Sequence, residues 1–113
     1  MSDNSRIEIV LECFRAYESR DRDLVERHLA DDFEFFSPPD PGIDRDTYFE
    51  RCWPNSKHLK SFELIRSAEV DDEVIVTVEA TRGDGTRFRN TEIHTFDGDK
   101  ISKVEVYFGW DLD

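Results

Sequence analysis

The strongest constraint on the fold of this chain is a pair of strand-type segments near its C-terminus. Asp97-Gly98 stands between them, and an Asp-Gly pair between two such segments is typical of a tight β-hairpin. In the second segment, residues 102–108, apolar side chains alternate with polar ones, so that Val104, Val106 and Phe108 share one face. The pattern predicts an antiparallel sheet with one apolar face.

The first segment of this hairpin has a different pattern, because polar groups lie between its aromatic residues. Phe88, Asn90, Glu92, His94 and Phe96 alternate onto one face, whereas the opposite face carries two arginines. The aromatic face is predicted to point inward. Polar side chains framed by aromatic ones are typical of the lining of a ligand pocket.

Three helices are predicted upstream of the sheet. Apolar residues recur at helical spacing over residues 5–19, with Ser5 as the expected N-cap, and again over residues 24–29. A short strand over residues 33–37 leads into residues 38–42, where three prolines and a glycine predict an irregular loop. Asp44 is the expected N-cap of a third helix that ends before Pro54.

The remaining chain has strand patterns over residues 59–70, 74–81, 88–96 and 100–108. Helices followed by long antiparallel strands indicate the α+β class. We expect three N-terminal helices to pack on a strongly curved antiparallel sheet and to leave a cavity between them. Without repeats or linkers, residues 1–113 are predicted to form a single domain.

Composition narrows the range of partners. The formal net charge is −12, which argues against binding to nucleic acid or to anionic membranes. No apolar run is long enough to span a membrane and the N-terminus lacks signal-peptide features, so a cytoplasmic protein is expected, with Cys13 and Cys52 as free thiols rather than a disulfide. No metal or cofactor motif is present, and no cofactor is predicted.

Two sequence motifs resemble those of the nuclear transport factor 2-like superfamily, which includes SnoaL-like polyketide cyclases and ketosteroid isomerases. They are Leu29-Ala30-Asp31-Asp32-Phe33, before the proline-rich segment, and Phe96-Asp97-Gly98-Asp99-Lys100-Ile101, followed by Val104-Glu105-Val106-Tyr107-Phe108. The resemblance implies a conical α+β barrel with a pocket at its open end, and commonly a homodimer formed by the outer face of the sheet. It does not imply one activity, because isomerases, cyclases, hydrolases and non-enzymes share this fold.

The ketosteroid isomerase pattern is retained at one of its three functional positions. The catalytic carboxylate at the end of the first strand corresponds to Ser37, which cannot act as the base. The tyrosine of the first helix corresponds to Cys13, and the acidic residue of the penultimate strand corresponds to Glu92. These differences argue against steroid isomerisation by that mechanism.

The predicted catalytic residues are Glu92 and His94, which share one strand face. A carboxylate beside an imidazole can transfer protons near neutral pH. A buried structural ion pair and a packed core histidine are the alternatives. The predicted ligand-binding residues are Cys13, Tyr17, Phe36, Trp53, Arg66, Asn90, Val106 and Phe108.

Arg66 is included because it interrupts an apolar strand face, where a cation needs a partner or an anionic ligand. The alternative is that Arg66 reaches the rim of the sheet.

Two functions follow from this set of residues. The first is binding of a small hydrophobic organic molecule, with acid/base chemistry of isomerase, cyclase or hydrolase type. The second is a non-catalytic ligand-binding or dimerisation module.

Overall fold

The computed structural model describes residues 5–112, except for the side chain of Ser5, so the N-cap predicted there lies outside the described part. The helices are α1, Ser5–Ser19; α2, Arg22–His28; and α3, Arg45–Arg51, which a 3-10 helix, Trp53–His58, follows. The strands are β1, Leu29–Ser37; β2, Asp40–Asp44; β3, Leu59–Val70; β4, Glu73–Arg82; β5, Arg87–Asp97; and β6, Lys100–Asp111. None of the helices within residues 5–112 is long and apolar enough to cross a bilayer.

The strands form one sheet in the order β2-β1-β6-β5-β4-β3. From β3 to β6 it is the antiparallel meander that the alternation predicts, and the hairpin turns at Gly98, whose φ of +64° favours glycine. β1 joins the free edge of β6 in parallel, so the sheet is mixed. Register shifts interrupt several strand pairs, and such bulges bend a sheet. The predicted α+β class, with three helices on a curved sheet, is confirmed.

Helix α1 lies against the concave side of this sheet, as its apolar stripe predicts. Val10 and Ala16 are fully buried in the core, and the ring of Phe14 contacts that of Phe62 on β3 at a centroid distance of 5.0 Å. Tyr17 meets the same Phe62 ring edge-on. One side of the helix therefore faces the sheet along its whole length, and the inner strand residues pack around it.

The proline-rich segment differs from its prediction, because residues 40–44 form strand β2 rather than an irregular loop. Ser37 pairs with Asp40 across a tight reversal. Pro41 is tolerated because β2 is an edge strand, where a missing N–H breaks no ladder. Gly42 has a φ of +92° and a Cβ at this position would lie 3.0 Å from the ring of Phe36. Asp44 caps α3 as predicted, accepting the amide of Thr47 at 2.9 Å.

Gly109 holds β6 close to β5 near the C-terminus. A Cβ at Gly109 would lie 2.2 Å from the carbonyl oxygen of Arg89, whereas one at Gly83 would meet only the carbonyl oxygen of His58, at 3.8 Å. We expect Gly109→Ala to reduce the free energy of unfolding by about 1–3 kcal/mol, because the backbone must move apart. Urea denaturation measures this, with Gly83→Ala as the matched control. Equal stability of the two variants would contradict the close approach.

Candidate functional site

A cavity of about 250 Å³ lies between the helices and the concave face of the sheet. Its volume is near the lower end of the usual range for ligand sites, about 300–1,000 Å³. Aromatic and aliphatic side chains form most of the lining: Phe14, Val25, Leu29, Phe33, Phe35, Tyr48, Leu59, Phe62, Val78, Ala80, Phe88, Ile101, Val104, Val106 and Phe108. Pro39, Asn55 and Phe108 are the exposed members of the lining, and they mark the mouth of the cavity.

The polar residues of β5 form one wall of this cavity. Asn90, Glu92 and His94 all line it, as the alternation of the strand predicts. Burial increases along the strand, from the partly exposed Asn90 and Glu92 to the buried His94. Asn90 accepts the amide of Gly109 through Oδ1 at 3.4 Å. The wall thus extends from the strand end near Gly109 to the closed end of the cavity.

Glu92 and His94 are in contact at this wall. Nε2 of His94 lies 3.2 Å from Oε1 of Glu92, and the side chains are 6% and 15% exposed. The angle of approach does not make this contact a hydrogen bond, and both ring nitrogens of His94 lack a hydrogen-bond partner among the described residues. Buried polar atoms in proteins are nearly always hydrogen-bonded. The imidazole therefore lines the cavity with two ring nitrogens that no described group satisfies.

Helix α1 contributes neutral proton donors to the opposite side of the cavity. The hydroxyl groups of Tyr17 and Tyr48 are hydrogen-bonded to each other. Burial, together with the negative charges of neighbouring groups, holds the pKa of Tyr17 well above its ordinary value. Burial, followed by the charges of Glu12 and Glu92, raises the pKa of the Cys13 thiol to about 12. Both groups are protonated at neutral pH.

An acidic residue that the sequence analysis did not select lies at the rim. Asp40 lines the cavity and is 8% exposed. Its Oδ2 accepts the hydroxyl of Ser37 at 3.2 Å, and its Oδ1 lies 2.8 Å from Nη2 of Arg51. The thiol of Cys52 is 3.9 Å from Oδ2. The only signal in the sequence is an acidic residue within a run of prolines, and that signal alone does not predict a buried position.

Seven of the ten predicted site residues line the cavity: Cys13, Tyr17, Asn90, Glu92, His94, Val106 and Phe108. Phe36 and Trp53 lie outside the lining. Because side chains alternate along β1, Phe35 lines the cavity, whereas Phe36 lines a separate crevice beside Tyr107. Trp53 stands behind Tyr17, with the ring centroids 4.8 Å apart, and therefore supports the lining from the second layer.

Arg66 is the third predicted ligand-binding residue that lies outside the cavity. A bulge between Leu64 and Arg66 changes the register of β3, so that Leu64 pairs with Val78 and Arg66 with Thr77. An extra residue in a strand moves the following side chains to the other face. Arg66 is consequently exposed on the outer face of the sheet, opposite to the face that carries Glu92.

Both cysteines are free thiols, and we expect them to react slowly in the folded protein. The pKa of Cys13 is raised to about 12 and that of Cys52 to about 11, the latter by burial and the charge of Asp40. At pH 8 the thiolate fraction of Cys13 is then about a thousandfold below that of an ordinary thiol. Labelling with Ellman's reagent should be slow in buffer, faster as the pH rises, and complete in urea. Rapid stoichiometric labelling of the native protein would contradict this expectation.

Comparison with known proteins agrees with this geometry. Residues 10–104 match the family described as the SnoaL-like domain, whose superfamily is the nuclear transport factor 2-like one. This chain is a member of the SnoaL-like domain family. No curated protein has a significantly similar sequence.

Solved structures of similar fold extend the comparison. A protein from Kribbella flavida is 18% identical with a TM-score of 0.84, and the match covers 95% of this chain and 88% of that one. A candidate ketosteroid isomerase from the same organism is 16% identical, with a TM-score of 0.78 and coverages of 97% and 82%. A candidate polyketide cyclase from Sinorhizobium meliloti is 19% identical, with a TM-score of 0.76 and coverages of 88% and 94%. At these identities the similarity establishes the fold alone.

In this SnoaL-like domain the three positions carried over from ketosteroid isomerases, Cys13, Ser37 and Glu92, all line the one cavity. The hydroxyl of Ser37 cannot replace the catalytic base, and the thiol of Cys13 is protonated, so the groups of the lining that can act as a base are Glu92, His94 and Asp40. No group of three or more His, Cys, Asp or Glu side chains within the described chain is arranged to hold a metal ion. The arrangement is suited to proton transfer at a polar group of an otherwise apolar ligand.

Proposed function

We propose that this SnoaL-like domain binds a small, mainly apolar organic molecule in its cavity and transfers a proton at the polar group of that molecule. Glu92 and His94 handle the proton, and the aromatic lining excludes water. Asn90 orients the ligand, and Val106 and Phe108 contact its apolar body. The chemistry is of the isomerase, cyclase or hydrolase type. These three reaction types share the proton transfer and differ in the fate of the intermediate.

The observation that carries the proposal is the state of His94. Its ring lines the cavity, Nε2 lies 3.2 Å from the carboxylate of Glu92, and neither buried ring nitrogen has a hydrogen-bond partner among the described residues. Leaving a buried polar group unpaired costs about 1–3 kcal/mol. Such a cost is typical of functional sites, where a ligand supplies the missing partner.

Exchange of the α-protons of 1-tetralone in deuterated buffer, followed by NMR, tests the proposal. This neutral bicyclic ketone needs only an apolar cavity and an acid/base pair. We expect the wild-type protein to accelerate exchange over buffer and Glu92→Gln to reduce that acceleration about 10²–10⁴-fold, the usual contribution of a general acid or base. Glu63→Gln is the control, since Glu63 is exposed. No acceleration by the wild type, or equal rates in both variants, would refute catalysis by Glu92.

A non-catalytic binding module is the second candidate function. The hydrogen bond between Tyr17 and Tyr48 favours it, because it occupies two hydroxyl groups of the cavity with each other. Saturable binding of 1-tetralone with no exchange would identify this second function.

We also propose a homodimer formed by the outer face of the sheet. Tyr107 and Val70 are each 50% exposed, and Thr77 and Thr91 bond to each other on the same face. Apolar side chains that are exposed on a sheet face can contribute to an interface. Sedimentation velocity at micromolar concentration should give twice the mass of the chain. A monomer would refute the dimer and leave a solvated sheet face, which antiparallel strands tolerate.

A further inference from the structure

The fixed charges in the lining of the cavity come from carboxylates. Asp40 and Glu92 are the carboxylates of the lining, and no lysine or arginine of the described chain lines it. At the rim, the charge of Arg51 is compensated by Asp40 at 2.8 Å. An anionic ligand would therefore enter the cavity without a counter-charge.

The negative charge of Glu92 acts across the whole width of the cavity. It contributes to the raised pKa of Cys13 and of Tyr17 on α1, after the larger effect of burial. The net charge of the chain, −12, adds a long-range attraction for cations.

Glu92 lacks the hydrogen bonds that a carboxylate in this position needs. Its side chain is 15% exposed, and its Oε1 lies 3.2 Å from Nε2 of His94. No side chain or amide of the described residues donates to it at hydrogen-bond distance. The two nitrogens of His94 are likewise unpartnered. A partly buried carboxylate without donors is costly, and a ligand that brings donors removes this cost.

The walls around this pair are aromatic. The ring of Phe14 meets the imidazole of His94 edge-on with centroids 6.1 Å apart, and Phe62 packs on Phe14 at 5.0 Å. Aromatic faces attract organic cations as well as apolar groups.

We propose that the ligand of this cavity is a protonated amine on a small apolar body, whose ammonium group donates to the carboxylate of Glu92. The apolar body lies against the aromatic lining, and a ring nitrogen of His94 accepts a second N–H. This inference rests on the proposed function, since it names the class of molecule that the same cavity binds.

Three probes of matched size test the inference: 2-phenylethylamine, 2-phenylethanol and phenylacetate. They carry a positive, a neutral and a negative polar group on the same ring. Binding is measured from the shift of the His94 ring resonances at pH 8, with the full-length protein. We expect the amine to bind at least tenfold more tightly than the alcohol, because hydrogen bonds to charged groups are the stronger ones, and the carboxylate to give no saturable shift.

Variants separate the charge of Glu92 from the shape of the cavity. Glu92→Gln should remove the preference for the amine and leave the alcohol bound, whereas Glu63→Gln should retain the preference. Binding of phenylacetate as tight as that of the amine would overturn the inference, as would equal binding of amine and alcohol by the wild type. In the second case the cavity still binds a ligand and the proposed function stands. If none of the three probes moves the His94 resonances, both the inference and the proposed ligand binding fail.

Discussion

Replacing both Glu92 and His94 by leucine should abolish proton exchange while leaving the protein at least as stable as the wild type. Exchange with 1-tetralone should fall about 10²–10⁴-fold, because the acid/base pair is lost. The free energy of unfolding should stay the same or rise by up to about 4 kcal/mol, since a buried ionisable pair is often no more stabilising than apolar groups of similar size. Urea denaturation and the NMR exchange assay give the two quantities.

The matched control is a Glu–His pair that has a structural hydrogen bond. Nε2 of His28 lies 2.7 Å from Oε1 of Glu12, which joins α2 to α1. Replacing both Glu12 and His28 by leucine should lower the free energy of unfolding by about 0.5–1.5 kcal/mol, the usual net value of a hydrogen bond. A leucine at the half-exposed position of Glu12 would bury too little apolar area to compensate for this loss. A double variant at Glu92 and His94 that loses stability as the control does would show that their role is structural.

Phe33→Ala should destabilise the protein by about 3–5 kcal/mol, the usual cost of removing a buried phenylalanine ring. Phe33 is 1% exposed, and its ring packs edge-on against Tyr48 at 5.2 Å. It thereby holds α3 against β1 and closes the inner end of the cavity. Thermal and urea denaturation should both report the loss.

Phe108→Ala is the matched control, because Phe108 also lines the cavity but is 58% exposed. Its loss should cost less than about 1 kcal/mol, in proportion to the smaller area that it buries. Equal stability of the two variants would show that Phe33 does not hold α3 against β1. It would also contradict the placement of Phe33 at the inner end of the cavity.

The parts of the fold that follow local rules could be predicted from the sequence. Alternation in β5 placed Asn90, Glu92 and His94 inside the barrel, and the helical stripe of α1 placed Cys13 and Tyr17 opposite them. These patterns repeat within a single strand or a single helix, so one segment is enough to predict the direction of each side chain.

The features that were not predicted depend on pairing between strands. The bulge before Arg66 changes the face of the residues that follow, and no turn residue marks it. The pairing of Ser37 with Asp40 converts a proline-rich segment into an edge strand and buries Asp40. The parallel contact of β1 with β6 joins distant segments. Each depends on contacts that a local pattern does not contain.

The central claim is that the wall of Glu92 and His94 faces a cavity that holds a ligand. The most direct test is a titration of the protein with 2-phenylethanol, followed by the ring resonances of its three histidines. The account predicts a saturable shift of His94 alone, with His28 and His58 unmoved, and loss of that shift in Val106→Phe, which fills the cavity. A His94 resonance that does not move at saturating probe, or that moves equally in Val106→Phe, would contradict it.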